Sequence, residues 1–234
     1  MNYKLIFFLI ILIFVIFIFL FETDRKFLID YNFKSYYINN FPISLFNGFH
    51  NSIYRLYENR IIFNPEDFNF HKFLIKNKQK IIDEYKVNKN KFLIDYAHDT
   101  SSLLDKNKSY KYIRFKFYKK IFNKNLNNLN TIKKLLIKYK NIKTCFFSIM
   151  EKKIKINYHK GPYNGVLRYH FPIIVKDINK CYLEILNKKI KYNKPFIFDD
   201  TYPHQLIKKD NTYKIVLIID VDNPYSYYFK HHNY

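Results

Sequence analysis

The chain has 234 residues and a formal net charge of +22, from 41 lysines and arginines against 19 aspartates and glutamates. That length holds one catalytic domain plus an anchor, not two domains. Lysine is scattered through every segment beside heavy use of Asn, Ile, Tyr and Phe, with no Trp and only 3 Gly; with no zinc finger, Gly-rich phosphate loop or nucleic-acid motif present, nucleic acid is not an expected partner.

Taken in order, the chain opens with an unbroken apolar run from Leu5 to Phe21. Spanning a bilayer takes roughly 17 to 25 residues, so this run is short but sufficient. No small-residue cleavage site follows; the run leads into Glu22-Thr23-Asp24-Arg25-Lys26. The expectation is an uncleaved single-pass membrane anchor over residues 1–26 rather than a signal peptide. Arg25, Lys26 and Lys34 outnumber Lys4 near the run, which leans toward a cytoplasmic catalytic domain.

Residues 27–60 are aromatic and Asn-rich without clean periodicity, and read as an irregular lead-in. Phe70 to Tyr85 reads as one amphipathic helix, with Phe70, Phe73, Leu74, Ile81 and Tyr85 on one face. His98 to Leu104 reads as a short helix capped by Asp99 or Thr100. Ile113, Phe115 and Phe117 alternate with Arg114 and Lys116, as in a half-buried strand. Thr131 to Tyr139 places Ile132, Leu135, Leu136 and Tyr139 at helical spacing.

Beyond that helix the pattern is of short strands: Thr144–Met150, Ile154–His159, Val166–Val175, Cys181–Leu186, Phe196–Asp199 and Lys214–Val221. Such runs indicate a closed or sandwiched β architecture. Helices followed by strands give an α+β domain with the helices packed on one sheet. The only two cysteines, Cys145 and Cys181, lie in apolar runs and are too few and too far apart for a disulfide framework or structural zinc. They read as buried free thiols, with pairing left open.

The chemistry-bearing residues lie between Tyr158 and His204. Neutral imidazoles ligate iron, zinc or copper, and His159 and His204 on facing strands, with Arg168 and His170 between, suit an iron centre with room for an anionic co-substrate. Spacing alone does not separate this from hydrogen-bonded core histidines.

Four motifs occur in order. Phe147-Ser148-Ile149-Met150 and His159-Lys160-Gly161-Pro162-Tyr163-Asn164-Gly165-Val166-Leu167-Arg168-Tyr169-His170 resemble the core of the aspartyl/asparaginyl β-hydroxylase family. Phe198-Asp199-Asp200 with His204, and Lys214 to Val221 before Asn223-Pro224, resemble the rest. The resemblance is dense from Thr144 to Pro224 and thins upstream to about Ile61, so the expected dioxygenase domain is 61–234. It implies an iron(II)- and 2-oxoglutarate-dependent dioxygenase using O2, on a double-stranded β-helix (jelly roll) with flanking helices.

The resemblance further implies His159 and His204 as the metal ligands and catalytic centre. It implies Ser148, Arg168, His170 and Lys214 as contacts of 2-oxoglutarate. Most enzymes of the wider class carry a carboxylate ligand two residues after the first His; here that position is Gly161, a departure the family shares. Lys214 stands where the family usually has Arg; it keeps the charge but loses the planar fork, unless it is a plain strand-edge lysine. Asp199 and Asp200 either orient His204 or water, or cap a turn. The implied partner is a protein or peptide hydroxylated at Asp or Asn side chains. A lipid acyl chain is the alternative, since membrane-anchored bacterial relatives act on one, and a non-catalytic anchored binding protein is the third reading. Animal members place the catalytic domain in the lumen, opposite to the count of basic residues.

Overall fold

The computed structural model describes residues 3–22, 43–96 and 110–226; the helix expected at His98 to Leu104 and the lead-in from 27 to 42 lie outside the described residues. Helix α1 spans Tyr3–Glu22. Among the described residues no helix is long and apolar enough to cross a membrane, so the expected anchor rests on the sequence and has no support from the fold.

The lead-in corrects the sequence reading, because Ile43–Tyr57 is a helix, α2. Ile43, Phe46, Ile53, Tyr54 and Tyr57 recur at helical spacing, a periodicity that the reading of an irregular lead-in passed over. Asn51 and Tyr54 are buried there. Asn51 donates to the Pro162 carbonyl at 3.2 Å and accepts from the Asn164 amide at 3.0 Å. Arg55 donates to Thr201 Oγ1 at 2.9 Å, and the Tyr54 hydroxyl accepts from Asn223 at 2.9 Å. α2 therefore braces two loops from behind, the one after His159 and the one before His204.

Strand β1 (Ile62–Phe63) leads through a 3-10 turn to helices α3 (Asn69–Lys76) and α4 (Lys78–Asn88). These replace the single helix expected from Phe70 to Tyr85. Asn77 breaks the run: its backbone leaves helical geometry at φ −105° and ψ 11°, and its side chain donates to the Phe73 carbonyl at 2.8 Å, the local competition by which Asn ends helices. The apolar stripe survives the break, with Phe70, Leu74, Ile81 and Tyr85 buried.

Next come β2 (Asp95–Tyr96), β3 (Tyr110–Phe117), β4 (Lys120–Ile121), α5 (Asn123–Leu126) and α6 (Asn130–Lys138). The α6 span matches the helix read from Thr131 to Tyr139. Phe117 departs from its expected alternation and is 53% exposed, beyond a register shift between Arg114 and Lys116.

The remaining strands are β5 (Ile142–Met150), β6 (Ile154–His159), β7 (Val166–Val175), β8 (Cys181–Ile185), β9 (Lys188–Lys191), β10 (Phe196–Phe198), β11 (His204–Lys208) and β12 (Lys214–Asp222). β9 and β11 were not among the expected runs. The expected Cys181–Leu186 run stops one residue early, because Leu186 and Asn187 take positive φ of 44° and 67°. That is the backbone of a tight hairpin turn, here joining β8 to β9.

One sheet has eight strands, ordered β1-β10-β7-β12-β5-β3-β2 with β4 beside β3; the other has four, ordered β6-β11-β8-β9. All their pairings are antiparallel. The α+β class holds, with helices on one face of the large sheet and the small sheet on the other.

Period-two alternation divides each long strand between two layers. Leu167, Tyr169, Phe171 and Ile173 of β7, Cys145, Phe147 and Ile149 of β5, and Ile215, Leu217 and Ile219 of β12 join the helix-side core. Phe70 meets Tyr169 edge to face at 5.1 Å, and Tyr85 meets Phe147 likewise at 5.4 Å. Each fully buried apolar side chain of this kind contributes about 1.5–3 kcal/mol. The residues between them, among them Arg168, His170, Ser148, Val216 and Ile218, line a cavity between the sheets. Both cysteines are free and buried.

Candidate active site

His159 ends β6 and His204 begins β11, directly opposite each other in register. Their rings lie 4.2 Å apart at 56°. His159 Nδ1 is 2.8 Å from the Asn157 carbonyl and His204 Nδ1 is 2.8 Å from the Tyr202 carbonyl. A carbonyl only accepts, so these contacts assign the proton to Nδ1 and leave the Nε2 lone pair of each ring for a ligand. Burial lowers the His159 pKa to about 4. Burial, then neighbouring His159, holds His204 well below its usual value. Both rings are thus neutral donors near pH 7.

These two donors fit iron(II), for which imidazole is a suitable ligand. Among the described residues no group of three or more His, Cys, Asp or Glu is arranged to hold a metal ion. Gly161, at the position where the wider class carries a carboxylate, has no side chain to offer a metal. A Cβ on Gly161 would collide with the Asp200 carboxylate.

Asp199 and Asp200 have separate roles, and orienting His204 is neither of them, since its Nδ1 bonds the Tyr202 carbonyl. Asp199 Oδ1 accepts from the Thr201 amide at 2.9 Å and hydroxyl at 2.6 Å, which caps the turn. Asp200 Oδ2 lies 2.9 Å from Arg168 Nη1. Arg168 also forms a two-point pair with Asp220, Nε to Oδ1 at 2.7 Å and Nη2 to Oδ2 at 3.0 Å, and Thr144 donates to Asp220 Oδ2 at 2.6 Å. Burial works against the guanidinium charge, but Asp200 and Asp220 raise its pKa above the usual value. Burial pushes Asp200 up to about 7 against the opposing pull of Arg168.

One cavity of about 370 Å³ is lined by His159, His204, Ser148, Arg168, His170 and Lys214 together. Every site residue expected from sequence thus faces the same space. Ser148 Oγ donates to the Tyr110 hydroxyl at 3.2 Å. His170 is 4% exposed, its Nδ1 lies 3.0 Å from the Tyr192 hydroxyl, and its Nε2 is buried without a hydrogen-bond partner. Lys214 is 2% exposed, on a strand inside the large sheet, which removes the strand-edge reading. Its ammonium sits 3.4 Å from the centroid of the Tyr192 ring. Burial lowers its pKa to about 8, with Cys181 opposing. An orphaned imidazole nitrogen and a desolvated ammonium in one cavity suit an anionic ligand.

Three contributors escaped the sequence reading. The α2 brace acts through hydrogen bonds to loops far along the chain. Tyr192 stands alone in a Lys-rich turn and gives no pattern at all. Asp220 was within reach, inside the Lys214 to Val221 motif.

A family model described as aspartyl/asparaginyl β-hydroxylase matches residues 75–224. Ornithine lipid ester-linked acyl 2-hydroxylase from Rhizobium tropici is 36% identical over 84 residues, which is 35% of this chain and 30% of that protein. The match thus spans less than a third of that relative. Among solved structures, an oxidoreductase of the 2OG-Fe(II) oxygenase family from Burkholderia pseudomallei aligns at 8% identity over 68% of this chain and 93% of its own, with a TM-score of 0.42. A Pseudomonas putida prolyl-4-hydroxylase aligns at 6% over 63% and 86%, with a TM-score of 0.41. Similarity at those scores is too distant to transfer an activity.

Proposed function

Because the chain belongs to the aspartyl/asparaginyl β-hydroxylase family, we propose that it is an iron(II)- and 2-oxoglutarate-dependent dioxygenase that hydroxylates an aspartyl or asparaginyl side chain of a protein substrate. The observation that carries this is the pair His159 and His204, each held through Nδ1 by a backbone carbonyl, with both rings facing a cavity that also holds Arg168, His170 and Lys214. When bound, iron(II), 2-oxoglutarate and O2 supply the oxidising power to hydroxylate an unactivated carbon.

The chain's own residues bind and orient. His159 and His204 offer Nε2 lone pairs to the metal. Ser148, Arg168, His170 and Lys214 present donors and positive charge to the two carboxylates of the co-substrate. Ile156, Leu183, Leu206, Val216 and Ile218 add an apolar stretch to the wall, which limits water beside it. The two facing sheets fit the double-stranded β-helix of such enzymes. A non-catalytic binding protein has no physical need for this matched donor set.

A second substrate, a lipid acyl chain, is supported by the partial identity to the Rhizobium tropici acyl 2-hydroxylase. We also propose a single-pass anchor at Leu5 to Phe21 with the domain at 61–234, supported by the apolar run alone. Deleting residues 1–21 should then release the protein from the membrane fraction with iron binding retained; a full-length chain found outside membranes ends that part.

Anaerobic iron(II) titration of the full chain with 2-oxoglutarate tests the activity class through the visible metal-to-ligand charge-transfer band. The band is the expected result, and its absence in metal-loaded protein overturns the reading. Succinate release with Asp- or Asn-containing peptides against acyl lipids then separates the two substrates.

A further inference from the structure

His170 and Lys214 do not sit side by side. In the β7–β12 register His170 faces Ile218, four residues along the strand from Lys214, a separation of about 13 Å at roughly 3.3 Å per residue. One side chain spans that gap. The Tyr192 hydroxyl lies 3.0 Å from His170 Nδ1, and its ring face lies 3.4 Å beneath the Lys214 ammonium. The ring stacks on His170 at 5.8 Å and 19° and meets Phe196 near edge-on at 5.3 Å, so two neighbouring rings set its plane. Tyr192 is 2% exposed.

We propose that Tyr192 is a positioning residue for the anionic co-substrate: its hydroxyl donates to His170 Nδ1, placing the imidazole proton on Nε2, while its ring seats the Lys214 ammonium in the same cavity. This rests on the reading of the cavity as a 2-oxoglutarate site.

The chemistry of the two contacts supports it. A neutral imidazole carries one proton, and the nitrogen that accepts a hydrogen bond leaves the other as the N–H. His170 Nε2 has no hydrogen-bond partner in the protein, so with Nδ1 accepting it becomes a donor aimed at a ligand. The opposite tautomer would turn a lone pair toward an anion. Burial raises the Tyr192 pKa well above its usual value, so the hydroxyl keeps the proton it donates. An ammonium over an aromatic face is held by the ring quadrupole without a counter-charge, which leaves it to pair with a carboxylate. A salt bridge to Asp or Glu would cancel that charge.

The test uses the full chain loaded with Mn(II), which binds nitrogen donors without turnover, and titrates 2-oxoglutarate by calorimetry. Tyr192→Phe keeps the ring and should weaken 2-oxoglutarate about five- to tenfold, the scale of one lost hydrogen bond, with Mn(II) affinity unchanged. In a His170→Ala background the same substitution should have no further effect, a result that mere destabilisation would not produce. Tyr192→Leu, which also removes the ring beneath Lys214, should weaken binding by about a further threefold or more. Wild-type affinity in both Tyr192 variants overturns the proposal, as does an undiminished Tyr192→Phe effect in the His170→Ala background. Failure of the Mn(II)-loaded wild type to bind 2-oxoglutarate instead overturns the co-substrate reading on which it rests.

Discussion

Gly161 and Asp200 share one space. The Gly161 amide donates to the Asp200 carbonyl at 2.6 Å, and any Cβ at 161 would run into the Asp200 carboxylate, itself pinned by Arg168 at 2.9 Å. The position where the wider oxygenase class carries its carboxylate ligand is thus closed by another acid, one paired with Arg168. Gly161→Ala should destabilise the protein by about 1–3 kcal/mol through overpacking, and Gly161→Asp should not create a third metal ligand. Urea unfolding of both variants and their metal affinity check this; wild-type stability with tighter metal binding in Gly161→Asp would refute it.

His159→Ala or His204→Ala should each reduce metal retained after desalting, and succinate release, to background. A two-donor protein site leaves one weak ligand when either is lost. Metal analysis of folded, purified variants is the check, and near-normal turnover by either one would end the assignment.

Lys214→Met removes a buried charge whose hydrogen bond to a carboxylate is worth roughly 1.5–3 kcal/mol. The apparent KM for 2-oxoglutarate should therefore rise by about 10- to 150-fold, with metal affinity little changed. Lys214→Arg should keep the charge, and its guanidinium can still stack on the Tyr192 ring, so the KM should stay near the wild-type value. An unchanged KM in Lys214→Met would shift the carboxylate contact to Arg168.

Asp200 should make stability fall as pH rises. One guanidinium faces two carboxylates, and burial holds the Asp200 pKa near 7 against its ordinary 3.8. A carboxyl raised in the folded state contributes fully below about 3.8, and that contribution is lost as pH climbs through about 7. Asp200→Asn cannot ionise. The Tm difference, variant minus wild type, should become more positive between pH 4 and 7, and a flat difference would contradict the assigned direction.

How much of this was legible in the sequence depended on whether the signal was local and apolar. Arg168 and His170 were readable as one face of one strand because period two is a backbone property, and the structure puts both in the cavity. The α6 helix was readable because its buried residues are Ile132, Leu135 and Leu136 at helical spacing. α2 carried a helical apolar spacing that was passed over, and its bracing role was not legible because the partners of Asn51 and Tyr54 lie more than 100 residues away. The split at Asn77 was lost because the apolar stripe runs on across it. The division of labour between Asp199 and Asp200 depends on Arg168 and Thr201, a tertiary matter that two adjacent acids cannot disclose.

The two buried thiols fall on opposite sides of the large sheet. Cys145 belongs to the helix-side core and Cys181 to the core between the sheets. Burial raises the Cys145 pKa, so in the closed protein it is a poor nucleophile toward alkylating reagents. Reagent reaches it only when the helices lift from the sheet, and reaches Cys181 only when the two sheets part or the cavity admits it. Labelling rates at the two positions therefore time two different openings of one domain, and a ligand that closes the cavity should slow one clock while leaving the other running.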